Sequence, residues 1–151
     1  MNIFISSDHG GFETKSFLIK KLEKLDLKIN DCGPFKYNKD DDYPDTVKEL
    51  ILRIACKKNS IGILCCRSGI GMSIMANRHP KIRASLCHNA KIAKMARKHN
   101  NANVLCLGSD FLKKEEILNI VKTFLEEKFE GGRHKRRIKK IEKYSKNFYE
   151  N

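Results

Sequence analysis

The densest chemical signal in this chain is a thiol followed by a hydroxyl and two glycines, Cys66-Arg67-Ser68-Gly69-Ile70-Gly71. It follows the apolar run Ile61-Gly62-Ile63-Leu64-Cys65 and leads into a helical pattern through Met75 and Ala76. A strand should therefore end, a tight turn follow and a helix begin. Such a turn aims backbone N–H groups at one point, and the helix N-terminus adds a partial positive charge. A thiol held there should ionise more readily than an ordinary cysteine. The plainer alternative is a strand-to-helix turn with a buried cysteine. The loop has neither the full Gly-x-Gly-x-x-Gly spacing nor a Walker lysine, which argues against a nucleotide site.

Other polar groups sit at similar punctuation points. Asp8-His9-Gly10-Gly11 ends the first apolar run, where an acid–base pair beside glycines suits a ligand, or a helix cap. His99-Asn100-Asn101 closes a helical stretch and on its own is an ordinary stop signal. His79 and His88 have structural or exposed readings. Arg133 and Arg137 lie four apart, so on a helix they share a face and could grip one phosphate. A solvated basic surface has the same pattern.

These groups need a frame, and the apolar pattern supplies one. Short β-rich runs (Ile3 to Ser6, Leu27 to Asp31, Ile61 to Cys66, Ile82 to Cys87, Asn103 to Leu107) alternate with helical stretches. The helices are expected over Phe12 to Leu25, from Tyr43 or Pro44 to Lys57, through Met75 and Ala76, over Ala90 to Lys98 and over Glu115 to Phe129. Five strands alternating with helices predict an α/β fold, a five-stranded parallel sheet wrapped on both faces. A C-terminal helical arm from about residue 130 completes a single domain over 1–151. In such sheets the ligand sits beyond the carboxyl ends of the strands, where Asp8-His9, Cys66 to Gly71, Cys87-His88 and Gly108-Ser109-Asp110 fall.

The chain has 151 residues, 40% of them hydrophobic, enough for a core without staples. It has no apolar run long enough for a bilayer, and its start lacks the features of a signal peptide. The six cysteines show no Cys-x-x-Cys, and the five histidines do not fall at zinc-ligand spacings from them. Reduced thiols, no metal and a cytoplasmic location are the expectation. The net charge of +13 favours anionic partners, and much of it crowds into the last two dozen residues.

Taken together, five motifs resemble the ribose-5-phosphate isomerase B family, which also contains hexose-6-phosphate isomerases. They are Asp8-His9-Gly10-Gly11-Phe12, Tyr43-Pro44-Asp45, Cys66-x-Ser68-Gly69-Ile70-Gly71-x-Ser73-Ile74-x-Ala76-Asn77-Arg78, His99-Asn100-x-x-Asn103-Val104-Leu105 and Phe129-Glu130-Gly131-Gly132-Arg133-His134-x-x-Arg137. They run in order over nearly the whole chain. The resemblance implies a Rossmann-like αβα sandwich, assembled as a homodimer or homotetramer with sites shared between subunits. It also implies interconversion of ribose 5-phosphate and ribulose 5-phosphate with no cofactor.

By position, the resemblance makes Cys66 the base that moves a proton between C1 and C2. Ser68 and the amides of Gly69, Ile70 and Gly71 become the cradle for the enediolate oxygens, and Asp8 and His99 open the furanose ring. His9, Arg133 and Arg137 match phosphate contacts, Tyr43 and Asn100 substrate contacts. Some relatives carry a glutamate after the second loop glycine; Met72 stands there, so the proton transfer falls to Cys66.

Two positions depart from the family pattern. Arg67 stands where glycine is common, and Asp110 where arginine is. Either Arg67 replaces the missing cation at the substrate or it is the ion-pair partner of Asp110; a positive φ at residue 67 would strain an arginine. An allose- or galactose-6-phosphate isomerase would need the same chemistry and a different pocket length. A nucleic-acid-binding module using the basic arm, with Tyr144, Phe148 and Tyr149, would leave the strand-end residues unexplained, which argues against nucleic acid.

Overall fold

The structure is a computed structural model that describes residues 1–149, with side chains described through Ser145. It has five strands: β1 (Asn2–Ser7), β2 (Ile29–Asp31), β3 (Ser60–Cys66), β4 (Ala84–Leu86) and β5 (Val104–Gly108). The helices are α1 (Phe12–Glu23), α2 (Tyr43–Ala55), α3 (Ile70–Ala76), α4 (Ala90–Asn100), α5 (Lys114–Glu126) and α6 (Gly132–Tyr149). All strand pairs are parallel, in the order β2-β1-β3-β5-β4. The outer strands β2 and β4 have three residues each, shorter than their apolar runs, because each pairs on one side only. Among the described residues no helix is long and apolar enough to cross a membrane.

The pleat of β3 divides the core. Ile61, Ile63 and Cys65 pack with Leu18 and Leu22 of α1, Ala93 and Ala96 of α4, and Ile117 and Phe124 of α5. Leu64 and Cys66 face the other way, with Val47 and Leu50 of α2 and Met72 and Ala76 of α3. Alternating side chains on a strand buried on both faces produce this αβα layering. They also decide which of two adjacent thiols meets α3: Cys66 does, and Cys65 is sealed under α1.

The chain turns from β1 to the left half of the sheet and from β3 to the right half. The carboxyl ends of these neighbouring strands thus flank a topological switch point, the usual crevice of open α/β sheets. At the opposite, amino edge lie the ends of the returning helices. α4 is fixed at both of its ends. The Asn89 side chain accepts from the Ile92 amide at 2.9 Å, and Asn101 terminates the helix in the left-handed region at φ 46°. His99 is thereby held in the last turn of α4, and Asn100 immediately after it.

Candidate active site

At the carboxyl edge, Ser7 ends β1 and Asp8 caps a 3-10 turn over His9–Gly11, its Oδ1 accepting from the Gly11 amide at 3.0 Å. Asp8 is buried, and burial, the largest influence on it, raises its carboxyl pKa. His9 leans on the neighbouring loop: both its backbone N–H, at 3.0 Å, and its ring Nδ1, at 2.7 Å, meet Oδ1 of Asp41. Asp41 belongs to the acidic loop between β2 and α2. A run of three aspartates offered no hint of which one would fold back.

Cys66 ends β3 beneath the first turn of α3. Its Sγ accepts from the Gly69 amide at 2.9 Å, and Gly69 takes φ 79°, a backbone that only glycine adopts without strain. The Ile70 amide donates to Ser68 Oγ at 3.3 Å. Gly71 lies against the Tyr43 ring, where a Cβ would come within 2.7 Å of a ring carbon. Tyr43, at the start of α2, therefore lies over the same turn as Ser68 and Cys66. One expectation needs correcting: the thiol pKa is raised, not lowered. Desolvation outweighs the amides of Gly69, Ser68 and Met72 that favour the thiolate, and Asp8 opposes it further.

Arg67 does not adopt positive φ, so arginine carries no steric penalty there. Its Nη1 lies 3.6 Å from Asp110 Oδ2, with both side chains well exposed, so of the two readings of this exchanged pair the ion pair is the one present. Arg67 and His9 together line an open cleft of about 890 Å³ between α1 and the start of α5, which Cys66 does not line.

The remaining expected site residues lie elsewhere. His99, Asn100, Arg133 and Arg137 gather at the amino edge of the sheet, a strand's length (roughly 17 Å) from Cys66. The Glu130 amide donates to the Lys98 carbonyl at 3.0 Å and brings the start of α6 beside the end of α4. Arg83 fixes the same corner through the carbonyls of Asn100 and Asn101. His99 stacks on the buried His134, ring centroids 4.4 Å apart and planes within 7°. Burial and the neighbouring His99 lower the His134 pKa.

His99 Nε2 lies 3.7 Å from Glu130 Oε2, and donor atoms of His99, Glu130 and His134 fall within 4.8 Å of one another. Parallel rings do not turn their in-plane lone pairs to one point, which does not suit a chelated ion. Arg133 and Arg137 are exposed. Of the other histidines, His88 is exposed and His79 accepts from the Lys81 amide at 3.2 Å, both structural. The side chains of Phe148 and Tyr149 lie outside the described residues.

Residues 3–141 match the family model described as Ribose/Galactose Isomerase. A Mycoplasma pneumoniae protein named probable ribose-5-phosphate isomerase B is 45% identical over 144 residues, 95% of either chain. The ribose-5-phosphate isomerase B of Mycoplasma genitalium, solved with bound ribulose 5-phosphate, is 41% identical over 96% of each chain, with TM-score 0.92. That of Clostridium thermocellum is 38% identical, covers 98% of this chain and 99% of its own, and superposes with TM-score 0.94.

Proposed function

The chain belongs to the ribose/galactose isomerase family, and we propose that it interconverts ribose 5-phosphate and ribulose 5-phosphate by moving one proton between C1 and C2. The observation that carries this reading is the pairing of Cys66 with the amides at the start of α3, beside a buried carboxyl at Asp8. Aldose–ketose isomerisation removes a proton from carbon next to a carbonyl, so it needs a base and donors aimed at the oxyanion that develops. The Cys66 thiolate takes the proton from C2 of the aldose and returns it to C1 while the O2 hydroxyl proton passes to O1; the Gly69 N–H supports the thiolate, and the Gly71 N–H and the Ser68 hydroxyl hold the enediolate oxygens. A raised thiol pKa makes the thiolate scarcer near neutrality and each thiolate a stronger base.

Asp8, its carboxyl raised by burial, and His99 exchange the protons that open the furanose ring. Tyr43 and Asn100 contact the sugar, and His9, Arg133 and Arg137 face its phosphate, while Arg67 stays paired with Asp110. These residues cannot meet within one chain, because the sheet stands between the two sets. A symmetric dimer solves this: the amino edge of one copy covers the carboxyl edge of the other, and a two-fold axis makes two equal sites. A further pairing of dimers would leave two sites per dimer.

The test is turnover of ribose 5-phosphate and allose 6-phosphate side by side by the wild-type protein and by Cys66→Ala. Ribose 5-phosphate should be the better substrate by kcat/KM, and Cys66→Ala should lose it. Preference for the hexose phosphate would move the proposal to the hexose branch of the family. A Cys66→Ala protein as active as the parent would end the thiolate mechanism.

A further inference from the structure

Asp41 is a charged residue that neither the sequence motifs nor the mechanism above uses, yet its carboxylate lies 2.7 Å from the His9 ring at the carboxyl edge. One of its oxygens, Oδ1, takes both the backbone N–H and the ring Nδ1 of His9, which fixes the position of the turn and the orientation of the imidazole together. Its other oxygen, Oδ2, is buried and finds no hydrogen-bond partner among the described residues. With Nδ1 committed, Nε2 is the ring nitrogen left for a ligand in the cleft that His9 shares with Arg67.

The loop that carries Asp41 is itself anchored. Lys15, 2% exposed, places Nζ 2.8 and 2.9 Å from the two Asp31 oxygens and 2.7 Å from the Pro34 carbonyl. Asp31 also accepts from the Gly33 amide at 2.8 Å. The carboxylate is thus delivered by a loop tied to the sheet at its start and to His9 at its end.

We infer that Asp41 is a positioning residue for substrate binding: it holds His9 with Nε2 aimed into the cleft, toward the substrate's phosphate dianion. This rests on the reading of His9 as a phosphate contact and extends it to a residue outside the family motifs. An oriented imidazolium donates a charge-assisted hydrogen bond that a neutral ring of the wrong tautomer does not. The Asp41 hydrogen bond is the largest influence on His9 and raises its pKa. Asp8 adds to it, while desolvation and Arg67 oppose it. Around the same cleft, Glu13 of α1, Asp110 and Glu115 contribute negative charge, and Lys113 and Lys114 at the start of α5 positive charge. The sign follows: His9 stays protonated to higher pH than a free histidine, and phosphate affinity falls once pH passes that raised midpoint.

The experiment is an NMR titration of the His9 ring in the full-length protein, assigned by its loss in His9→Gln. Inorganic phosphate serves as the binding probe, and wild type is compared with Asp41→Asn. The amide side chain can still accept from both His9 groups, so the variant removes charge and keeps geometry. Its His9 midpoint should fall toward that of a free histidine. Phosphate affinity at pH 7.5 should drop about tenfold, and KM for ribose 5-phosphate should rise by a similar factor with kcat within twofold.

An unchanged midpoint, or unchanged phosphate affinity, would leave Asp41 as a loop tether and overturn the inference. If Asp41→Asn does not fold, the wild-type titration alone decides, since a His9 midpoint at or below that of free histidine overturns it. The titration does not depend on turnover. A protein that shows the shifted midpoint yet does not isomerise loses the functional proposal and keeps the Asp41–His9 pair. An active enzyme with an unshifted His9 does the reverse.

Discussion

The two edges of the sheet carry different kinds of chemistry. At the carboxyl edge the working groups are buried and gripped by backbone: Asp8 at 7% exposure by the Gly11 amide, Cys66 at 5% by the Gly69 amide. At the amino edge Asn100, Arg133 and Arg137 lie open to solvent on helix ends, while His134 beneath His99 is buried. Burial shifts pKa values, so groups that must change protonation state in the reaction benefit from the first setting. Groups that must reach across to another molecule need the second. In an open α/β sheet, proton chemistry can be built at the strand ends while long cationic side chains are contributed by a neighbour.

The comparison can be broken at either edge. The largest effect belongs to the thiol: Cys66→Ala should lower kcat by about 10²–10⁴-fold or more, with KM and far-UV circular dichroism close to wild type. Retained turnover would reduce the carboxyl edge to packing.

Next comes a recovery. Cys66→Ala and His99→Asn subunits, each nearly inactive, are unfolded, mixed equally and refolded together. Half of the dimers are then mixed, and each mixed dimer has one site with both native groups, so activity should return to about a quarter of wild type. No recovery in a sample shown to contain mixed dimers would mean that the two edges do not serve one site.

A third test separates the edges by pH. The thiolate fraction climbs about tenfold per pH unit below the thiol pKa. The pKa of Cys66 is raised by burial, so kcat should keep rising through pH 9 instead of levelling near neutrality. A plateau at pH 7 in the kcat profile would place the controlling group elsewhere.

The smallest effect concerns Arg67. An exposed pair at 3.6 Å with Asp110 contributes at most about 1 kcal/mol, so Arg67→Gly should change kcat/KM less than about fivefold. A loss well above tenfold, recovered in the double mutant Arg67→Gly with Asp110→Arg, would make Arg67 a substrate contact in place of the missing cation.

The carboxyl edge was legible in the sequence because strand ends announce themselves. Ile61 to Cys66 is continuously apolar, the glycines follow at once, and the parallel order puts those residues where ligands bind. The thiol's pKa was misjudged because a helix N-terminus is visible in a pattern and burial from the α2 and α3 side is not. The amino edge was legible only through the resemblance of the whole chain. His99-Asn100-Asn101 has the form of any helix stop, and Asn101 is indeed used as one, at φ 46°. Asp41 stayed hidden because its role depends on a long loop returning to β1, and nothing in Asp40-Asp41-Asp42 distinguishes the middle residue.

The thickness of the sheet between Cys66 and His99 has a consequence for the protein at work. An enzyme whose site closes within one chain keeps its specific activity at any dilution. In the dimer proposed above each site needs a second copy, so activity per molecule should depend on how much of the protein is present and fall away below the dissociation constant of the dimer. Substrate that bridges the two copies would hold them together and shift that threshold downward. A cell making little of this protein would then have less than its proportional share of the reaction, and a damaged subunit would disable one of its intact partner's contributions as well as its own.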